Sequence, residues 1–483
     1  MQSSAPPLSF AVKLNFGFGQ IAEGLKTCVF STFLLFYYNQ VLGLSGTLAG
    51  LAITIALLFD AVTDPVAGSV SDRWQSPLGR RHPFMYASAI PLAISFILLF
   101  SPLMDTATVG QGGLFAWMLV MTIATRASMT LYHVPHMAVG AELSDDYDER
   151  TVLVAIRHFF GATGFILAYV FGFGVFFAPS PEWPNGQLNP AAYTPYAMTL
   201  GLMMAVSIFV TAYGTRSRIP YMPKAREDEK RVRVRDVFTE AWQAMSNISF
   251  MWMMFGFIMI IVAWGMAGVT GLYVYTFFWE LSVVQILFVS LVGPVGSMFG
   301  YLFSRVYFAW LDKRNAMIVA GLAWMVIHSV PMLCYMADLA PAPGTWSVTF
   351  FIAAIVALGG VAVGQVVVGI GTAMADIADE NELKTGRRQE GVFFGASAFA
   401  NKCAAGLGSA IAGLVLDLIQ WPTGSAIRSA ADIPSETLFQ LALIQGPLIA
   451  LLAIPGALCL LGYRLNRARL SEIQTQIRAS SAG

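Results

Sequence analysis

Asp60 and Asp64 lie four residues apart in an otherwise apolar run, LAITIALLFDAVTDPVAG, that begins at Leu51. At that spacing two carboxylates share one face of a helix, where like charges repel. In hydrocarbon, each central carboxylate costs roughly 2.5–3.5 kcal/mol even on the mildest scale. A membrane helix carries such a pair only when something neutralises it. A bound cation is one way; burial against a Lys or Arg partner is the other.

Other polar groups in apolar surroundings raise the same question. Glu23 and Lys26 lie one turn apart and can neutralise each other. Arg126 precedes Thr130 by one turn; it could pair with Glu23 or attract an anionic group of a substrate. Thr130 could serve as a hydroxyl ligand or simply bond back to its own helix. His133 titrates ordinarily near pH 6.5 (about) and could hold a proton beside the Asp pair, hydrogen-bond a substrate, or rest against a carbonyl. His136 and His158 are weaker candidates of the same kind. Arg157 could contact substrate or serve an internal ion pair. The chain shows no H-E-x-x-H, nucleophile–base pattern or P-loop, so a polytopic enzyme and an ATP-driven pump find little support.

Composition places these groups in a bilayer. Of 483 residues, 57% are hydrophobic and 12% charged, against about 25% charged in soluble domains. Long apolar stretches recur from end to end, which predicts a polytopic all-α membrane protein and not a barrel of short alternating strands. Twelve spans are expected, at roughly 13–42, 46–72, 82–103, 113–140, 152–178, 195–214, 246–279, 282–308, 315–337, 345–375, 388–419 and 437–464. Arg73, Arg80, Arg81, Arg150, the basic run from Arg216 to Arg235, Lys313, Arg314, Lys384, Arg387 and Arg388 fall in alternate loops, and the opposite loops hold Arg428 alone. The positive-inside rule then puts both termini in the cytoplasm. The polar segment 215–245 reads as a cytoplasmic linker between bundles at 1–214 and 246–464, with a cytoplasmic tail at 465–483. The four cysteines make no metal or disulfide spacing and read as packing residues. The N-terminal MQSSAPPLSFAVKL lacks the charged region and cleavage site of a signal peptide.

Several motifs occur in a telling order. Asp60-x-x-x-Asp64-Pro65 is followed by Ser71-Asp72-Arg73-x-x-Ser76 and by Gly79-Arg80-Arg81-x-Pro83-Phe84. Lys13 to Gly19 opens the first span. Glu142-Leu143-Ser144 precedes Asp148-Glu149-Arg150, Arg157 and Phe159-Phe160. Met374-Ala-Asp376-Ile-Ala-Asp379 precedes Lys384-Thr385-Gly386-Arg387, Gly391 and Lys402. Together they resemble the glycoside–pentoside–hexuronide:cation symporter family of the major facilitator superfamily, along nearly the whole chain.

That resemblance implies a major facilitator fold, with 12 transmembrane helices in two six-helix bundles and substrate bound between them. It assigns Asp60, Asp64 and Thr130 to a cation site for Na+ or H+, joined by His133. It puts His133, Met137, Arg157 and Lys402 at positions of the family's substrate or cation contacts, beside Glu23 and Arg126 as substrate-contact candidates from their own chemistry, with Lys402 also able to bridge to Asp60 or Asp64. It places Asp72, Arg73, Arg80, Arg81, Asp376, Asp379 and Arg387 at an inner gate. The expected function is cation-coupled symport of a sugar or glycoside by a multi-pass protein of the cell membrane, the inner membrane in a bacterium. No cofactor and no nucleic acid is expected, and a monomer is.

Four departures bear on the substrate. His133 stands where the family's best-known member carries an aspartate shared by cation and sugar. Met137 replaces a stacking tryptophan, Gly24 a sugar-binding aspartate, and Val367 another tryptophan. A His-Val-Pro element, here His133-Val134-Pro135, also occurs in the related sodium-coupled lysophosphatidylcholine transporters. Symport of a lysolipid or other amphipathic anion is therefore the alternative.

Overall fold

The computed structural model describes residues 7–105, 108–144, 146–222, 239, 242–386, 390–424 and 426–481. Among the described residues every regular element is helical. Eleven helices are long and apolar enough to cross a membrane. The first expected span is instead a succession of short pieces: α1 (Phe10–Phe18), α2 (Gln20–Thr32), α3 (Leu34–Phe36) and a π-helical turn at Tyr37–Val41. The ladder breaks at Gly19 and Phe33, although both keep right-handed helical dihedrals. Gly19 is where a neighbour comes closest. A Cβ there would fall 2.1 Å from the Tyr132 hydroxyl oxygen and 2.5 Å from the Thr211 methyl, so only glycine passes.

The chain divides into two compact units. One takes Met1–Val234 with Pro422–Arg428; the other takes Arg235–Trp421 and Ser429–Gly483. In the first, α4 (Gly46–Arg73), α5 (His82–Leu99), α6 (Gly110–Glu142), α7 (Tyr147–Phe171) and α8 (Pro190–Thr215) follow the broken first span. Polar caps set the starts: Ser45 accepts from the Leu48 amide, Asp146 from Glu149 and Asn189 from Ala191. α4 packs on α6, α5 on α6 and α8, and α2 on α7. The aromatic rings of Phe33, Tyr37, Phe100, Phe177, Tyr193 and Tyr196 meet in one buried cluster at one end of this unit.

The second unit holds α9 (Ile248–Tyr273), α10 (Val283–Leu311), α11 (Lys313–Met336), α12 (Trp346–Thr385), α13 (Glu390–Leu418), α14 (Ser435–Leu443), α15 (Ala453–Leu461) and α16 (Arg467–Ser481). Close backbone approaches hold it together. A Cβ on Gly360 of α12 would fall 2.4 Å from the Gly293 carbonyl of α10, and one on Gly408 of α13 would fall 2.7 Å from the Val262 carbonyl of α9. Gly68 of α4 is less tightly approached. Its Cβ would meet Val134 at 3.5 Å, ordinary contact, so close helix approach does not explain it. The four cysteines are free. Of the expected linker, residues 223–238 and 240–241 lie outside the described residues.

Candidate functional site

Asp60 and Asp64, one turn apart on α4, both reach α6, and each meets a different partner. Arg126 Nη1 donates to Asp60 Oδ2 at 2.5 Å, with the two residues 7% and 5% exposed. One turn further along α6, Thr130 Oγ1 donates to Asp64 Oδ1 at 2.7 Å. A four-residue step on one helix thus meets a four-residue step on the other. Thr130 directs its proton to the carboxylate and not to its own backbone. Asp60 Oδ1 and Arg126 Nε are buried with no hydrogen-bond partner among the described residues. The guanidinium also lies 5.0 Å from the centre of the Phe30 ring. Prolines follow on both helices, Pro65 and Pro135, and neither brings an N–H to its ladder.

The second group of candidates lies where α2, α6 and α7 face one another. Lys26 Nζ donates to Glu23 Oε1 at 2.8 Å, and Thr27 Oγ1 to the same oxygen at 3.1 Å. Arg126 therefore pairs with Asp60 and not with Glu23, one of the two alternatives open from sequence. Glu23 Oε2, His133 Nδ1, Gln20 Oε1 and the Tyr132 hydroxyl are buried without partners among the described residues. Such groups are costly unless a ligand or water meets them. His133 stands within electrostatic reach of Glu23, Lys26, Asp64 and Arg157. Arg157 Nη1 donates to the Met137 sulfur at 2.7 Å, and its Nη2 lies 3.4 Å from His158 Nε2. His136 is a packed histidine. Its Nε2 lies 2.9 Å from the Phe16 carbonyl, and its ring stacks on Phe16 and Tyr132.

The loop from α4 to α5 folds onto the end of α6. Arg81 pairs with Asp72, and its Nη1 donates to Ser71 Oγ at 2.7 Å. Glu142 accepts from Arg80 at 2.7 Å and from Arg81 at 3.2 Å. Arg73 Nε is buried without a partner among the described residues. In the second unit Lys313 Nζ reaches Asp376 Oδ2 at 2.6 Å, the Tyr463 hydroxyl reaches the same oxygen at 3.5 Å, and Gln474 donates to Asp379 at 3.1 Å.

A match to the family described as MFS/sugar transport protein covers residues 15–467. The chain belongs to that family. An uncharacterised symporter of Synechocystis is 23% identical over 99% of this chain and 98% of its own. An isoprimeverose transporter of Lactiplantibacillus pentosus is 24% identical over 84% of this chain and 79% of its own. The inward-open xylose transporter of E. coli superposes with a TM-score of 0.62 at 14% identity, covering 97% of this chain and 99% of that one. At that identity the likeness shows the fold alone, a major facilitator fold. The protein is a multi-pass membrane transporter and not an enzyme.

Membership of the MFS/sugar transport family frames what sequence missed. Glu142 stands in a quoted motif, yet nothing in its type or spacing marked it as the shared acceptor of two arginines. Gln20 and Tyr132 are polar groups in apolar spans that drew no notice. Gly24 stands where the sugar symporters place an aspartate, and its surroundings leave no room for one. A Cβ there would fall 2.1 Å from the Gly161 carbonyl oxygen. Lys402 lies on α13 in the second unit, and Arg387 lies outside the described residues. The second unit also encloses a cavity of about 420 Å³, walled by Trp264, Trp324, His328 and Gln445 among others, that no motif announced.

Proposed function

We propose that the protein is a cation-coupled symporter of a sugar or glycoside, working by alternating access in the inner membrane of a bacterium. Its twelve crossings comprise the eleven long helices and the segmented run Phe10–Val41. Both termini lie in the cytoplasm, the side of the basic loops. The family match over residues 15–467 and the transporter relatives, both bacterial, support the class and the setting. The observation that carries the coupling is the facing of α4 and α6, which gathers Asp60, Asp64, Arg126 and Thr130 in one polar cluster.

Coupling requires that cation and substrate each raise the affinity for the other. His133 is placed for that role, because one imidazole stands within reach of Asp64 on the cation side and of Glu23 and Arg157 on the substrate side. Glu23, Gln20, Tyr132 and His133 offer a sugar both donors and acceptors, and the unpaired buried atoms among them are what hydroxyl groups would meet. The Arg80–Arg81–Asp72–Glu142 cluster and the Lys313–Asp376 pair act as inner latches that break as the carrier opens inward. Counterflow in proteoliposomes with a panel of glycosides, pentosides and hexuronides tests the reading. Exchange of at least one sugar is expected, lost in His133→Ala. Counterflow of lysophosphatidylcholine without any sugar would overturn it.

A further inference from the structure

The family resemblance implies a cation site, for Na+ or H+, at Asp60 and Asp64, and the side chains of this chain do not fit sodium at Asp60. Sodium is a hard cation that wants several oxygen ligands at once. Here one Asp60 oxygen already accepts from Arg126. Guanidinium stays protonated at every physiological pH, so the partner does not come and go. The pair is buried on both sides, which strengthens its attraction and raises the cost of separating it. A sodium ion at Asp60 would have to displace the guanidinium or sit against a like charge.

We propose that Arg126 is a tethered counter-cation that takes the place of sodium at Asp60, so that the protein binds its substrate without sodium. The proposal rests on the symporter reading and concerns Asp60 alone; Asp64 meets the Thr130 hydroxyl at 2.7 Å. The guanidinium offsets the Asp60 charge, and with it the i, i+4 repulsion on α4, before any ion arrives. Glu23, Lys26, Asp64 and Arg157 stand within electrostatic reach of His133.

The test uses purified full-length protein, with thermal unfolding followed as NaCl replaces choline chloride at constant ionic strength. Wild type is expected to show no saturable, sodium-specific stabilisation. Arg126→Ala uncovers Asp60 and is expected to gain one, at least about tenfold in apparent sodium affinity; Arg126→Lys keeps the wild-type response. A saturable sodium-specific rise in wild type overturns the proposal, as does an Arg126→Ala protein that folds and still ignores sodium. Should Arg126→Ala not fold, Asp60→Asn serves. With Arg126 as counter-ion it lowers stability equally at every sodium concentration, whereas loss of a sodium response on Asp60→Asn overturns the proposal. Sodium-specific stabilisation of wild type would leave symport standing. Failure of every ion gradient to drive uptake would remove symport without touching the sodium titration.

Discussion

Gly24 of α2 and Gly161 of α7 meet backbone to backbone, with the position of a Gly24 Cβ only 2.1 Å from the Gly161 carbonyl oxygen. Gly164 repeats the approach one turn on, 2.4 Å from the Ile21 carbonyl. The helix that carries Glu23 is held against α7 by these contacts, so its polar face is fixed toward α6. Gly24→Ala is expected to destabilise the protein by about 1–3 kcal/mol through overpacking. Gly24→Asp should cost more and restore no galactoside recognition. Thermal unfolding in detergent and galactoside counterflow check both.

Thr130 contributes a single hydroxyl, and its removal should be felt at Asp64. Thr130→Ala is expected to weaken apparent affinity for the coupling cation about tenfold, the equivalent of one lost hydrogen bond to a charged group. Thr130→Ser should keep most of it. Uptake measured against cation concentration separates the two, because a mere packing defect would change the maximal rate without moving the cation midpoint.

Asp60 and Arg126 should fail singly and recover together. Asp60→Asn leaves a buried guanidinium without its charge partner, an effect of about 3–5 kcal/mol for buried pairs. Arg126→Gln leaves a buried carboxylate in the same position. The double variant Asp60→Asn, Arg126→Gln is expected to unfold at a higher temperature than either single one. Additive losses would show that the pair makes no contribution as a pair.

Glu142 receives two arginines, so Glu142→Gln should loosen the inner loop more than any single arginine change. Its side chain is 10% exposed and its partners 12% and 7%. A loss of about 2–4 kcal/mol follows for such a largely buried network. Arg73→Gln, by contrast, removes no ion pair seen among the described residues and should be milder. Limited proteolysis between residues 73 and 82 gives a second readout, expected to quicken in Glu142→Gln and to stay slow in Arg73→Gln.

How much of this was legible depended on the kind of signal. Apolar runs of twenty residues announce spans without help from packing, and among the described residues eleven appear as long apolar helical segments, the last of them built from α14, a π-helical turn and α15. The first did not: its ladder breaks at Gly19 and Phe33, and the tight approach at Gly19 comes from Tyr132, more than a hundred residues away in the chain. The Asp60–Asp64 spacing pointed to a neutralising partner, and both kinds of partner were anticipated; that Arg126 would be it depended on the register between α4 and α6. Thr130 was expected beside the pair from the family resemblance, and its hydroxyl meets Asp64. The Glu23–Lys26 pair was legible because it is local. Glu142 was not, since one acidic residue at a helix end has no pattern of its own until two arginines fold onto it.

Concentrative uptake in proteoliposomes tests the central claim most directly. Glycosides, pentosides and hexuronides are presented under an inward sodium gradient, an inward proton gradient, and none. At least one sugar is predicted to accumulate above equilibrium under a cation gradient and to leak back when that gradient is collapsed. Asp64→Asn should equilibrate the same sugar without accumulating it. A sugar that reaches the same level under all three conditions, or no sugar movement at all, would contradict the account.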